Sequence, residues 1–66
     1  MLNNIEAERA RNQLTKEEMA ERLNISPKTY YNWITEATDI PSSALIKMRK
    51  MFNVTIDYLL SNEMAI

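Results

Sequence analysis

The chain has 66 residues, a net charge of −1 and neither cysteine nor histidine. That inventory excludes disulfides, thiolate chemistry, most zinc sites and histidine acid–base catalysis, so a non-enzymatic protein with no cofactor and no metal is expected. Apolar runs stop at two or three residues and the start, MLNNIEAERA, lacks a basic stretch followed by an apolar one, so no membrane segment or secretory signal is expected and a cytoplasmic protein is the default.

Glycine is absent and only two prolines occur. Hairpins usually need glycine at their turns, and no stretch alternates strictly between apolar and polar residues. Helix formers dominate, so the fold class is all-α, a compact five-helix bundle in one domain over 1–66.

The first helix is expected over about 3–12, with Ile5 and Arg9 on one face. Thr15 and Glu18 then form the T-x-x-E capping box, with Leu14 and Met19 as its hydrophobic staple, and open a helix over about 16–23. Asn24 follows, a residue that tolerates a left-handed backbone. Ser26 caps a third helix over about 27–34, and Pro27 at its first position loses no hydrogen bond. TEATDIPSS reads as a loop, after which Pro41 with Ser42 or Ser43 as cap opens a fourth helix over about 42–52. Thr55 caps a fifth over about 56–61, and the tail SNEMAI is expected to fray. The expected core is Ile5, Leu14, Met19, Ala20, Leu23, Ile25, Tyr30, Trp33, Leu45, Met48, Phe52, Val54, Ile56 and Leu59.

Residues 16–35 together make a helix-turn-helix, with small Ala20 at the crossing and Ile25 plugging the turn. At 100° per residue, Tyr30, Trp33 and Ile34 share one face of the second helix, while Lys28, Tyr31, Asn32 and Thr35 share another. The outward set suits a DNA major groove. Asparagine pairs bidentately with an adenine edge, lysine with guanine or a phosphate, and tyrosine with a phosphate or a thymine methyl. Ser26 and Thr29 near the helix start, and Thr35, suit the DNA backbone, as does Lys16, where a cation meets a helix N-terminus. The same face without this context would be an ordinary solvated one.

Residues 5–60 resemble the Cro/lambda-repressor-like helix-turn-helix domain, the XRE family of bacterial and phage regulators. The resemblance rests on R9-x5-T15-K16-x2-M19-A20-x2-L23-N24-I25-S26, T29-Y30-x2-W33, P41-S42-x2-L45-x2-M48 and N53-V54-x-I56-D57-Y58-L59-L60. It implies a lambda-repressor-like bundle whose recognition helix, 26–34, enters the major groove of a double-stranded operator, usually as a homodimer on two half-sites. The family's base-reading positions fall on Pro27, Lys28 and Asn32, with Tyr31 and Thr35 nearby, and Lys16 stands where the family usually grips a phosphate with glutamine.

The chain departs from the pattern in four ways. Gln13 and Asn24 stand where glycine is usual, and Pro27 replaces a residue that often reads a base. Ile34 replaces the glutamate that usually follows the tryptophan, which leaves Glu36 as the candidate partner for Arg9. The loop carries Glu36 and Asp39 where a basic residue often approaches the DNA backbone. Those acids keep a second role open, a protein-interaction module on the same fold, such as an antirepressor or antitoxin-like partner binder. No small-molecule substrate is expected. Tyr58, Leu60, Met64 and Ile66 are candidates for a dimer contact. Lys47, Arg49 and Lys50 read as a solvated face with some access to flanking phosphates, and the pairs Glu6-Glu8 and Glu17-Glu18 as ordinary helix surface.

Overall fold

Three helices begin where a hydroxyl takes an amide proton that the first turn leaves orphaned. In the computed structural model, which describes residues 1–61, the order is α1 (Asn3–Arg11), α2 (Lys16–Arg22), α3 (Pro27–Ile34), α4 (Ser42–Phe52) and α5 (Ile56–Leu60). Thr15 Oγ1 accepts from the Glu18 amide at 3.0 Å, and Glu18 Oε1 accepts from the Thr15 amide at 2.9 Å, which completes the capping box. Ser26 caps α3 by accepting from the Thr29 amide at 3.1 Å, and Thr55 caps α5 by accepting from the Tyr58 amide at 3.1 Å.

The start of α4 differs from the sequence reading. Pro41 takes the cap position with an extended backbone (φ −60°, ψ 147°), Ser42 is already helical, and no side chain caps the first turn. Proline cannot supply a side-chain acceptor, so neither Ser42 nor Ser43 plays the expected capping role.

Helices α1, α2 and α3 each end in a left-handed residue, Gln13 (φ 58°), Asn24 (φ 58°) and Glu36 (φ 66°). Behind each, two amides fold back onto the last turn. Gln13 and Leu14 donate to Ala10 and Arg9, Asn24 and Ile25 to Glu21 and Ala20, and Glu36 and Ala37 to Trp33 and Asn32. These are Schellman motifs, which normally recruit glycine at the left-handed position. α4 likewise ends at left-handed Asn53 (φ 55°).

Helix α2 packs chiefly on α3, α1 on α5 and α3, and α4 on α5. Ile5, Met19, Tyr30, Ile34, Met48 and Leu59 are the largest fully buried side chains. Two residues outside the expected core join it, Leu2 and Ile34, and the Leu2 amide donates to the Ile34 carbonyl at 2.7 Å. Ile25, Val54 and Ile56 pack against the core but stay half-buried.

Glu8 is not surface, contrary to expectation. It is 2% exposed, and its carboxylate accepts from the Tyr58 hydroxyl at 2.9 Å, with Arg11 at 3.5 Å. Asn4 Nδ2 donates to the Tyr58 carbonyl at 2.7 Å, so one residue of α5 is held by two polar groups of α1. The Glu8 bond raises the Tyr58 phenol above its ordinary range. Residues 62–66, where the frayed tail and the contact candidates Met64 and Ile66 were expected, lie outside the described residues.

Candidate nucleic-acid interface

Helical phase divides α3. Tyr30 is 1% exposed and Tyr31 is 56% exposed, although they are neighbours in sequence. Trp33 and Ile34 go inward with Tyr30, and Pro27 and Lys28 are exposed with Tyr31, while Asn32 is half-buried. Eight residues at about 1.5 Å each make a rod about 12 Å long, comparable to the width of a B-DNA major groove.

The inward side is anchored by a relay from α1. The Tyr30 hydroxyl donates to Glu6 Oε1 at 2.5 Å, and Arg9 reaches the same carboxylate through Nε at 3.0 Å and Nη2 at 2.9 Å. Arg9 Nη1 donates in turn to the Leu14 carbonyl at 2.6 Å, immediately before the helix-turn-helix begins. A single arginine therefore ties the entrance of α2 to the middle of α3. Burial raises the Tyr30 phenol first, and the negative Glu6 beside it adds to the effect. For Glu6, burial opposes ionisation, but the hydrogen bonds from Arg9 and Tyr30 outweigh it and hold the carboxyl below its usual range.

This relay corrects two expectations. Glu6 is a half-buried structural carboxylate, not ordinary surface, and it, not Glu36, is the partner of Arg9. Glu36 instead receives the Met1 ammonium at 3.0 Å. The (i, i+3) spacing of Glu6 and Arg9 is a signal that could have identified the pair.

The outward residues sort by what their polar atoms already do. The side chains of Lys28, Tyr31 and Asn32 make no hydrogen bond within the described residues, so their donors and acceptors are available. Asn32 is nevertheless well placed, because its carbonyl accepts from the Ala37 and Thr38 amides at 2.9 and 3.2 Å. The hydroxyls are engaged. Ser26 Oγ and Thr29 Oγ1 lie 3.0 Å apart, and Thr35 Oγ1 donates to the Tyr31 carbonyl at 2.8 Å. A hydroxyl has one proton, so Thr35 must rotate before it can donate to a phosphate. Lys16, at the first position of α2, is exposed and forms no ion pair.

Carboxylates flank both ends of α3. At its start, Glu17 and Glu21 of α2 line an open cleft with Ser26 and Pro27. The sequence reading treated Glu17 as surface and gave Glu21 no role; their (i, i+4) spacing was the available signal. At the other end stand Glu36 and Asp39, both exposed. Lys16 and Lys28 therefore act against nearby negative charge. Among the described residues no group of three or more acidic side chains is placed to hold a metal ion, and no helix is long and apolar enough to cross a membrane.

The helix-turn-helix family model matches residues 5–59, from the first turn of α1 to the last buried residue of α5. No curated protein and no solved structure matches the chain. The match spans all five helices, the capped turn and the outward face of α3; the chain belongs to the Cro/C1-type helix-turn-helix family of DNA-binding regulators, the XRE family.

Proposed function

We propose that the protein is a sequence-specific transcriptional repressor of phage, mobile-element or bacterial origin, which binds a double-stranded operator in the cytoplasm as a homodimer with α3 in the major groove. The observation that carries this reading is the contrast on α3: an inward side locked by Tyr30, Glu6 and Arg9, and an outward side whose Lys28, Tyr31 and Asn32 side chains are unengaged. Lys28 and Asn32 read base edges, Tyr31 contacts a thymine methyl or a phosphate, and Pro27 contributes only apolar surface. Lys16 supplies the main phosphate contact, with Ser26, Thr29 and Thr35 as lesser ones.

The test is a pair of substitutions measured against a selected operator and its single-base variants. Asn32→Ala relaxes specificity at one base pair of each half-site by about 1–3 kcal/mol, whereas Lys16→Ala weakens all sequences alike and reduces the salt slope by about one per copy, about two for the dimer. Equal, sequence-independent losses from both changes refute the division of roles.

A second reading has its own support. Glu17, Glu21, Glu36 and Asp39 flank α3 at both ends and oppose phosphate, which favours a protein-interaction module such as an antirepressor or antitoxin-like binder. A gel shift at low salt on the DNA flanking its own gene decides between them, since the absence of any binding supports this second reading.

A further inference from the structure

Lys28, Tyr31 and Asn32 all present unengaged side chains, but helical phase does not aim them alike. Tyr30 is fully buried and marks the inward direction of α3. At 100° per residue, Lys28 and Asn32 lie about 40° apart and straddle the direction opposite Tyr30. Tyr31 lies about 100° from Asn32 and about 60° from Lys28, so it leans to one flank. In a major groove the outermost line of a helix faces the floor, where the base edges are, and a flank faces the sugar–phosphate wall.

Side-chain length agrees with phase. The short Asn32 amide reaches a base edge only when the backbone of α3 lies close to the floor. That backbone is held in place, because the Asn32 carbonyl accepts from the Ala37 and Thr38 amides. At that depth the longer Tyr31 ring has no room beneath the helix and turns to the wall, with its hydroxyl as a phosphate donor. Thr35 shares the outermost line, but its hydroxyl proton goes to the Tyr31 carbonyl at 2.8 Å. The helix, PKTYYNWI, carries no arginine, glutamine, aspartate or glutamate. Its outermost line therefore offers one ammonium and one amide to the bases.

These two groups have different complements. A lysine ammonium only donates, which matches the paired acceptors O6 and N7 of guanine. An asparagine amide donates and accepts, which matches N7 and the N6 amino group of adenine. Four residues advance about 6 Å along α3, and successive base pairs are about 3.4 Å apart, so the two contacts fall within about two steps of each other.

We propose that each half-site is specified mainly by one G·C pair and one A·T pair within about two steps, read by Lys28 and Asn32 respectively, with Tyr31 on the backbone beside them. The inference rests on the operator reading above and names the sequence class that α3 selects. Pro27 at the first helical position and Tyr31 at the wall leave the other base pairs of the half-site weakly specified.

The test is selection from a random duplex library with the full chain, followed by affinities for the selected duplex and its single-base variants. The expected consensus holds that guanine and that adenine in each half-site, with no third position of comparable strength. Lys28→Ala removes the preference at the guanine alone and Asn32→Ala at the adenine alone, each a loss of about 5- to 150-fold in discrimination. Circular dichroism checks that the helices persist, with the isosteric Asn32→Asp as the second variant. 7-Deazaguanine at the specified guanine weakens binding by the wild type and not by Lys28→Ala. Tyr31→Phe lowers affinity for every duplex by the same factor, and uracil in place of the flanking thymines, which deletes their C5 methyl groups, changes nothing. A consensus without that guanine and adenine, strong positions that ignore both substitutions, or a uracil duplex bound less tightly overturns the proposal while operator binding stands. Selection that enriches no sequence overturns the operator reading and this inference with it, so the two failures are told apart.

Discussion

Gln13 is the position at which a single substitution is expected to stabilise the domain. Its backbone is left-handed at φ 58°, it is exposed, and its side chain makes no hydrogen bond within the described residues. A residue with a Cβ incurs roughly 1–2 kcal/mol in that conformation, whereas glycine incurs none. Glycine returns part of the gain, because its extra freedom in the unfolded chain is worth roughly 0.5–1 kcal/mol. The net expectation for Gln13→Gly is stabilisation by about 0.5–1 kcal/mol, or a rise in Tm of about 2–8 °C for a domain of this size. Asn24→Gly is the control. Asn24 has the same φ of 58° in the same Schellman geometry, but asparagine tolerates it, so the gain there is expected to be no more than a few tenths of a kcal/mol. Gln13→Ala removes the side chain while keeping the Cβ, and is expected to gain nothing. Urea unfolding followed by circular dichroism measures all three, with an unchanged m-value as the condition for comparing midpoints. If Gln13→Gly fails to stabilise, or Asn24→Gly gains as much, strain at the Cβ is not the term that matters.

The remaining expectations concern the polar ties. Glu6→Gln removes the charge that holds Arg9 and Tyr30 and costs about 2 kcal/mol at neutral pH, read by urea unfolding. Because the folded carboxyl titrates below its ordinary value of 4.5, its contribution is complete above that value and is lost as pH falls through the lower folded pKa; Glu6→Gln should flatten the stability profile in that acid window, and an unchanged slope counts against the relay. Tyr58→Phe strips the buried Glu8 of its 2.9 Å donor and is expected to cost about 1–3 kcal/mol, with faster amide exchange in α5 before the rest of the molecule opens. With Lys16 and Lys28 as the cations beside α3, operator affinity should fall with salt at a log–log slope of only about −4 for a dimer, and a slope near −8 means that the α4 cations also reach phosphate.

The parts of the fold that depend on near neighbours in sequence were legible. Thr15, Ser26 and Thr55 cap because a hydroxyl and an amide three residues later suffice, and Tyr30 and Tyr31 separate because 100° of helical turn suffices. The left-handed sites at Gln13 and Asn24 were visible as missing glycines in the family pattern, whereas Glu36 gave no such sign. Glu6 and Glu8 were misread for a different reason. A glutamate on a helix is by default solvated, and what buries these two is a pair of tyrosine hydroxyls 24 and 50 residues away. Pairing across that distance depends on how α3 and α5 pack onto α1, and nothing within one turn of Glu6 or Glu8 encodes it.

That division between local and distant ties has a functional consequence. The groups that orient α3 (Tyr30, Glu6, Arg9 and the Leu14 carbonyl) share one connected network, so a change to any of them disturbs the whole helix-turn-helix. Lys28, Tyr31 and Asn32 belong to no such network, and replacing them alters what the helix presents without removing a tie that holds it. On the proposed reading, stability and recognition are therefore carried by different faces of one eight-residue helix. The bracketing acids strengthen this separation. Glu17, Glu21, Glu36 and Asp39 reduce the attraction that any DNA exerts on the face, so a single copy gains little from phosphate alone. On the proposed reading, affinity then comes from base contacts and from two faces on one operator. If two copies pair as proposed, that pairing is part of the recognition, because a second half-site raises affinity only when both faces engage at once.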